Sequence, residues 1–236
     1  MRNLRLAVVS GLALAAALVI QRALADTRPA SVSALEGKAT RARDKSEPAD
    51  LRVGSGVAQG DIISTGDAAR LELKFADASL LRIGPKARVQ LTTAHFGGGP
   101  ARRQMTAKLF FGNLWAKVTS AIQGDQKFQI ETENAVAGVR GTTFRVDARE
   151  DKSVLVRVYA GAVAVAKNVP IYANGKPGER REVEGPGEVT RDQWEKIIGK
   201  QMQILIAADG TPGDPTQMAE EDEKKDDLGA WTPGAK

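Results

Sequence analysis

The sequence predicts an all-β fold, a single domain of about eight to ten short strands in two packed layers, arranged either as a sandwich or as a solenoid-like stack. Three observations carry this. Apolar residues between Leu35 and Val169 alternate with polar ones in short runs. Turn-forming residues punctuate those runs, and helix signals are nearly absent between them. A chain of 236 residues, 42% apolar, suits one such domain with extensions better than two full domains.

The elements follow in chain order. Residues 1–25 pass from a basic start (Arg2, Arg5) through the uncharged stretch Leu6 to Ile20 to Ala23-Leu24-Ala25, the form of a cleavable signal peptide. As a helix that stretch would fall short of the roughly 30 Å hydrocarbon core, so cleavage after Ala25 is favoured over an inner-membrane anchor. Residues 26–50 read as an N-terminal strand or linker, and 51–170 as the β domain. There Leu71, Leu73 and Phe75 alternate with Arg70, Glu72 and Lys74, giving a strand buried on one face. Asp77-Ala78-Ser79 forms a turn. Leu81 and Ile83, Gly84-Pro85, then Val89 and Leu91 continue a meander. Further strands are expected over 109–118, 128–132, 144–148, 154–158 and 163–165. Gly112 within 109–116 echoes Gly161 within 158–165, each glycine marking a bulge or close backbone approach inside a strand.

Residues 171–208 are expected to form an irregular connection and then an amphipathic helix over 191–208. Thr190 and Gln193 read as its capping box, and Trp194, Ile197, Ile198 and Leu205 as its apolar stripe. The alternation of Met202, Ile204 and Ile206 admits a late strand as the competing reading. Residues 209–236 carry 8 acidic against 3 basic residues and little apolar content, so a disordered, dispensable acidic tail is expected.

Composition excludes several functions. Without Arg2, Arg5 and Arg22 the chain holds 31 basic and 29 acidic residues, with no basic-aromatic interleaving, so nucleic acid is not an expected partner. Cysteine is absent, and His95 is the single histidine, which leaves the usual zinc sets unavailable. Asp61, Asp67 and Asp77 stand at turns where their side chains bond local backbone, without calcium-loop spacing. No nucleophile elbow, Walker loop or dinucleotide fingerprint occurs. The reading is therefore non-catalytic, with no cofactor, no metal and no evident small-molecule substrate. In the segment Gly138-Val139-Arg140-Gly141-Thr142-Thr143-Phe144, Gly138 and Gly141 are expected to turn the chain sharply between two strands.

Several spaced motifs together resemble a FecR domain: Gly60-Asp61-Ile62-Ile63-Ser64-Thr65-Gly66; Leu71-Glu72-Leu73 with Asp77-Ala78-Ser79 and Leu81-Arg82-Ile83-Gly84; Val139-Arg140-Gly141-Thr142-Thr143-Phe144; and Tyr159-Ala160-Gly161-Ala162-Val163. Ala78 departs from the glycine common in that family's turn, which disfavours a positive φ there and suggests another turn type. The resemblance implies a periplasmic all-β domain without catalysis. Only Met1 to Arg5 precede the apolar stretch, so a cytoplasmic sigma-factor-controlling segment is not expected. The expected function is a non-enzymatic binding, adaptor or signal-relay module at the cell envelope, periplasmic or secreted; the alternative is a structural subunit of an envelope or secretion assembly. The partner is expected to be an envelope protein or cell-wall glycan. Arg102, Arg103 and Arg140 are the candidate contacts, and Gly60, Asp61, Gly66, Gly138, Gly141, Thr142, Phe144 and Gly161 the structural landmarks.

Overall fold

The computed structural model describes residues 29–96, 104–119, 127–168, 196–224 and 226–234. The signal-peptide stretch, residues 169–195 of the connection and the loop with Arg102 and Arg103 lie outside the described residues, as does the side chain of Arg140. The strands are β1 (Ala30–Glu36), β2 (Ala39–Arg43), β3 (Ala49–Asp50), β4 (Gly56–Val57), β5 (Asp61–Thr65), β6 (Arg70–Phe75), β7 (Leu80–Ile83), β8 (Arg88–His95), β9 (Gln104–Lys117), β10 (Lys127–Glu131), β11 (Ala135–Ala148), β12 (Val154–Lys167), β13 (Lys196–Ile198), β14 (Met202–Ile206) and β15 (Thr216–Gln217). One five-residue helix, α1 (Glu220–Lys224), follows.

All fifteen strands join one hydrogen-bonded sheet that folds over itself into two layers. Layer A runs β4–β1–β6–β7–β9–β11–β12–β14–β15. Layer B runs β3–β2–β5–β8–β9–β10–β11–β12–β13, with β9 and β10 parallel. The 14-residue strands β9, β11 and β12 belong to both layers. They bend at Gly112, Gly141 and Gly161, where φ is +91°, +58° and +81°. Shorter elements make the same corner as separate strands, β1 to β2, β5 to β6, β7 to β8 and β13 to β14. The result is a stack of bent units, two-layered like a sandwich and repetitive like a solenoid.

The corners are tight. A Cβ on Gly112 would lie 2.5 Å from Ala87 Cβ, and one on Gly161 would lie 2.7 Å from the Gly141 carbonyl oxygen. The echo between these two glycines is therefore the sequence trace of one corner used twice. Gly138, expected to share the turn with Gly141, instead sits in the ladder between Gln129 and Ala164, and Gly141 alone takes the positive φ. Between the layers one core forms from alternate residues of both, among them Leu71, Leu73, Leu114, Phe144 and Val158 of layer A with Ile63, Val89, Leu109, Ile130 and Val163 of layer B. Phe75 of layer A meets Phe128 of layer B edge-on at 6.4 Å.

Three expectations are corrected. Residues 191–195 of the expected helix over 191–208 lie outside the described residues, and the described remainder forms β13 and β14, since its apolar period is two: Ile204 and Ile206 are buried while Leu205 is 46% exposed, and Ile198 is buried while Ile197 is 61% exposed. The edge of β12 decides the matter by pairing with Met202 through Ile206 residue for residue. The residues of 209–236 that the structure describes are folded rather than disordered, with Met218, Leu228 and Trp231 buried. Ala78 does take a positive φ, +63°, because the turn around it is over-determined. Phe75 N–H donates to the Ser79 carbonyl, and Asp77 accepts from both the backbone N–H and the hydroxyl of Ser79. Replacing Ala78 by Gly should relieve the left-handed strain and raise stability by about 0.5 kcal/mol, read as a higher melting temperature; a lower one would contradict the strain.

Candidate binding surface on the outer face of layer A

The outer face of layer A carries one continuous row of polar and aromatic side chains. Register places Glu72 opposite Arg82, Arg82 opposite Trp115, Trp115 opposite Arg145, Arg145 opposite Arg157, and Arg157 opposite Gln203. Each arginine stands between two core residues of its own strand (Leu81 and Ile83, Phe144 and Val146, Val156 and Val158), so the pleat sends it outward. Like charges directly opposite one another are unfavourable, and Arg145 faces Arg157. Asp147 answers both: Arg145 Nε donates to its Oδ1 at 2.9 Å and Arg157 Nη1 to its Oδ2 at 2.9 Å. Arg82 Nε donates to Glu72 at 2.8 Å, and the Ser33 hydroxyl donates to the same carboxylate at 2.7 Å.

The C-terminal segment crosses this row. Arg145 Nη1 donates to Asp226 at 2.7 Å and to Asp227 at 2.9 Å. Arg82 Nη1 donates to the backbone carbonyls of Leu228 (2.6 Å) and Gly229 (3.1 Å), and its guanidinium lies over the rings of Trp115 and Trp231 at 4.8 and 5.7 Å. Trp231 Nε1–H donates to Glu36 at 2.8 Å, and Arg70 pairs with both Glu36 and Asp227. The segment thus runs across the strands from β12 towards β1, and it buries Arg145, Glu72 and Trp115 on what would otherwise be an open sheet face.

The electrostatics match the geometry. Burial alone would raise the Asp227 pKa, but hydrogen bonding and attraction from Arg145, with a further pull from Arg70, hold it below the ordinary value. Burial, then the Asp226 carboxylate beside it, push the Tyr159 hydroxyl well above the usual phenol range. Because the folded pKa of Asp227 is depressed, its contribution is present above the unfolded value near 4 and is lost as pH falls through the lower folded value. Acidification below about pH 4 should therefore release the segment before the sheet melts. A red shift of tryptophan emission with unchanged far-UV circular dichroism would show it, whereas simultaneous loss of both signals would contradict a separable segment.

Among the landmark residues, Asp61 is 1% exposed at the start of β5. It accepts from Arg43 Nε at 2.8 Å and from the Ala58 N–H at 2.8 Å. Beside it a recess of about 350 Å³ is lined by Arg41, Arg43, Ser46, Glu47, Ala49 and Ala58; the Arg43 charge is held by Asp61, and Arg41 donates to the Gly56 carbonyl. Gly60 has φ +87°, and Gly66 N–H donates to the Lys38 carbonyl. The Thr142 hydroxyl donates to the Ala162 carbonyl at 2.9 Å beside the Gly141 and Gly161 corners, and Phe144 is fully buried. These residues hold corners and core. Among the described residues, no group of three or more His, Cys, Asp or Glu is placed to hold a metal ion.

Residues 61–164 match the model of the FecR protein family. Over that span, under half of the chain, this protein is similar to a FecR domain. The matched span contains Glu72, Arg82, Trp115, Arg145 and Arg157, whereas Glu36 and the segment 226–231 lie outside it. Two crystal structures of a protein from Parabacteroides distasonis ATCC 8503, provisionally described as an anti-sigma factor, align with a TM-score of 0.47 at 15% identity, covering 69% of this chain and 62% of that one. The chain therefore spans less than two thirds of that protein's length. No curated protein matches the sequence.

Proposed function

We propose that this protein is exported and acts, without catalysis, as a protein-binding or signal-relay module at the cell envelope. The observation that carries the reading is the arginine row, which grips polypeptide: it takes two adjacent carboxylates at Arg145 and successive backbone carbonyls at Arg82, with Trp115 between the two arginines. Bidentate guanidinium forks suit such groups, and an adjacent tryptophan adds an aromatic wall. The FecR match supports a regulatory or relay role rather than an enzymatic one. Export rests on the basic, apolar and small-residue succession of residues 1–25.

Both parts can be measured on one preparation. Mass spectrometry of the protein from the envelope fraction should find Asp26 at the N-terminus, and an intact Met1 end would contradict export with cleavage. The same material, cross-linked in expressing cells, should retain a protein partner at defined stoichiometry. Recovery of the chain free of any protein partner, together with turnover of a small molecule, would overturn the binding role.

A further inference from the structure

We infer that the C-terminal segment is a resident ligand in cis, and that the arginine row is built for an extended acidic segment of a partner protein that displaces it. The proposal rests on the binding role above and names the class of partner. Four observations converge on it. First, the core between the layers is complete without the segment: among the described residues, none beyond Ile206 belongs to it. Second, the path leading to the segment is lightly held, since β15 pairs over two residues and α1 buries none of its side chains. Third, charge holds one end of the segment, with Asp226 and Asp227 on Arg145, and Asp227 on Arg70, so that part of its grip falls with salt. Fourth, the fit is incomplete. Arg70 Nε is buried along the segment's track without a hydrogen-bond partner, and buried polar groups are ordinarily satisfied.

The resident defines the chemistry of its competitor: two adjacent carboxylates, an apolar residue directly after them, and an aromatic residue three positions further on, as in Asp226, Asp227, Leu228 and Trp231. A tethered segment has a high effective concentration, so a free segment of the same sequence competes poorly until the tethered one is weakened.

The test uses a labelled peptide of residues 219–236 titrated into the full-length protein and into the full-length D226N/D227N variant. The variant should bind the peptide at least ten times more tightly than wild type, and raising salt should weaken that binding. A peptide of the same composition in reversed order provides a control that needs no further variant, and it should bind at least ten times more weakly. Equal affinity of wild type and variant, or of the two peptides, would overturn the proposal. So would a concentration-dependent dimer of the wild type that D226N/D227N abolishes, because the occupant would then be a second copy of this chain. Capture of an envelope partner undiminished by excess peptide would leave the binding role standing and place its surface elsewhere, which also overturns this proposal.

Discussion

Gly112→Val and Gly161→Val should each destabilise the domain by about 3 kcal/mol or more, the largest effect expected of any single substitution outside the core. Two causes add. A β-branched residue at φ near +90° or +80° carries a strain of about 1–3 kcal/mol. The new Cβ would in addition meet atoms that cannot swing away: the Ala87 backbone at 2.6 Å for Gly112, and the Gly141 carbonyl oxygen at 2.7 Å for Gly161. Forcing such contacts apart typically costs another 1–3 kcal/mol. Because each glycine is the corner of a strand shared by both layers, the distortion would reach both halves of the sheet. His95→Ala supplies the contrast: the side chain is exposed at the end of β8, and surface changes usually stay within about 0.5 kcal/mol. Chemical denaturation of the three variants measures this, and glycine variants as stable as His95→Ala would contradict the corner geometry.

The second large effect concerns the C-terminal segment. Removing residues 226–236 should lower stability by about 3 kcal/mol while leaving the domain folded. Leu228 and Trp231 are buried against the outer face, and burial of such side chains contributes roughly 1.5–3 kcal/mol each. The arginines left behind are not stranded. Losing the segment opens Arg145 and Arg82 to water, and Asp147 and Glu72 remain beside them, so the penalty of an unpaired buried charge does not arise. For a domain of this size the melting temperature should fall by roughly 6–12 °C. A fall of under about 2 °C would mean that the segment makes no stabilising contact, and outright loss of the folded state would mean that it belongs to the core.

How much of this was legible beforehand depended on how local the signal was. Alternation within 71–75 and 144–148, the turn at Asp77, and the paired glycines 112 and 161 are short-range, and each led to the right element. The region 191–208 misled because its apolar residues satisfy both a helical stripe and a period of two. The free edge of β12, unreadable from a single segment, settled the competition. The tail misled for the opposite reason. Its eight carboxylates suggested a solvated chain, since no local feature shows that Asp226 and Asp227 meet an arginine about 80 residues away in sequence. The outward arginines at 82, 145 and 157 were each visible between two apolar neighbours. Their alignment into one row is a property of register across β7, β9, β11 and β12, and register between distant strands is not written in any one of them. Arg102, Arg103 and Arg140, the contacts expected from the sequence, lie near glycines and stand out locally; their side chains lie outside the described residues.

Hydrogen exchange across the full-length chain, free and with a bound envelope partner, tests the central claim most directly. In the free protein the amides of 226–231 should be protected, though less than those of β9, β11 and β12, since a segment held outside the core opens without global unfolding. On partner binding, protection at 226–231 should vanish while the outward side of β7, β11 and β12 becomes more protected. Unchanged protection at 226–231, with new protection confined to layer B, would contradict the arginine row as the binding surface.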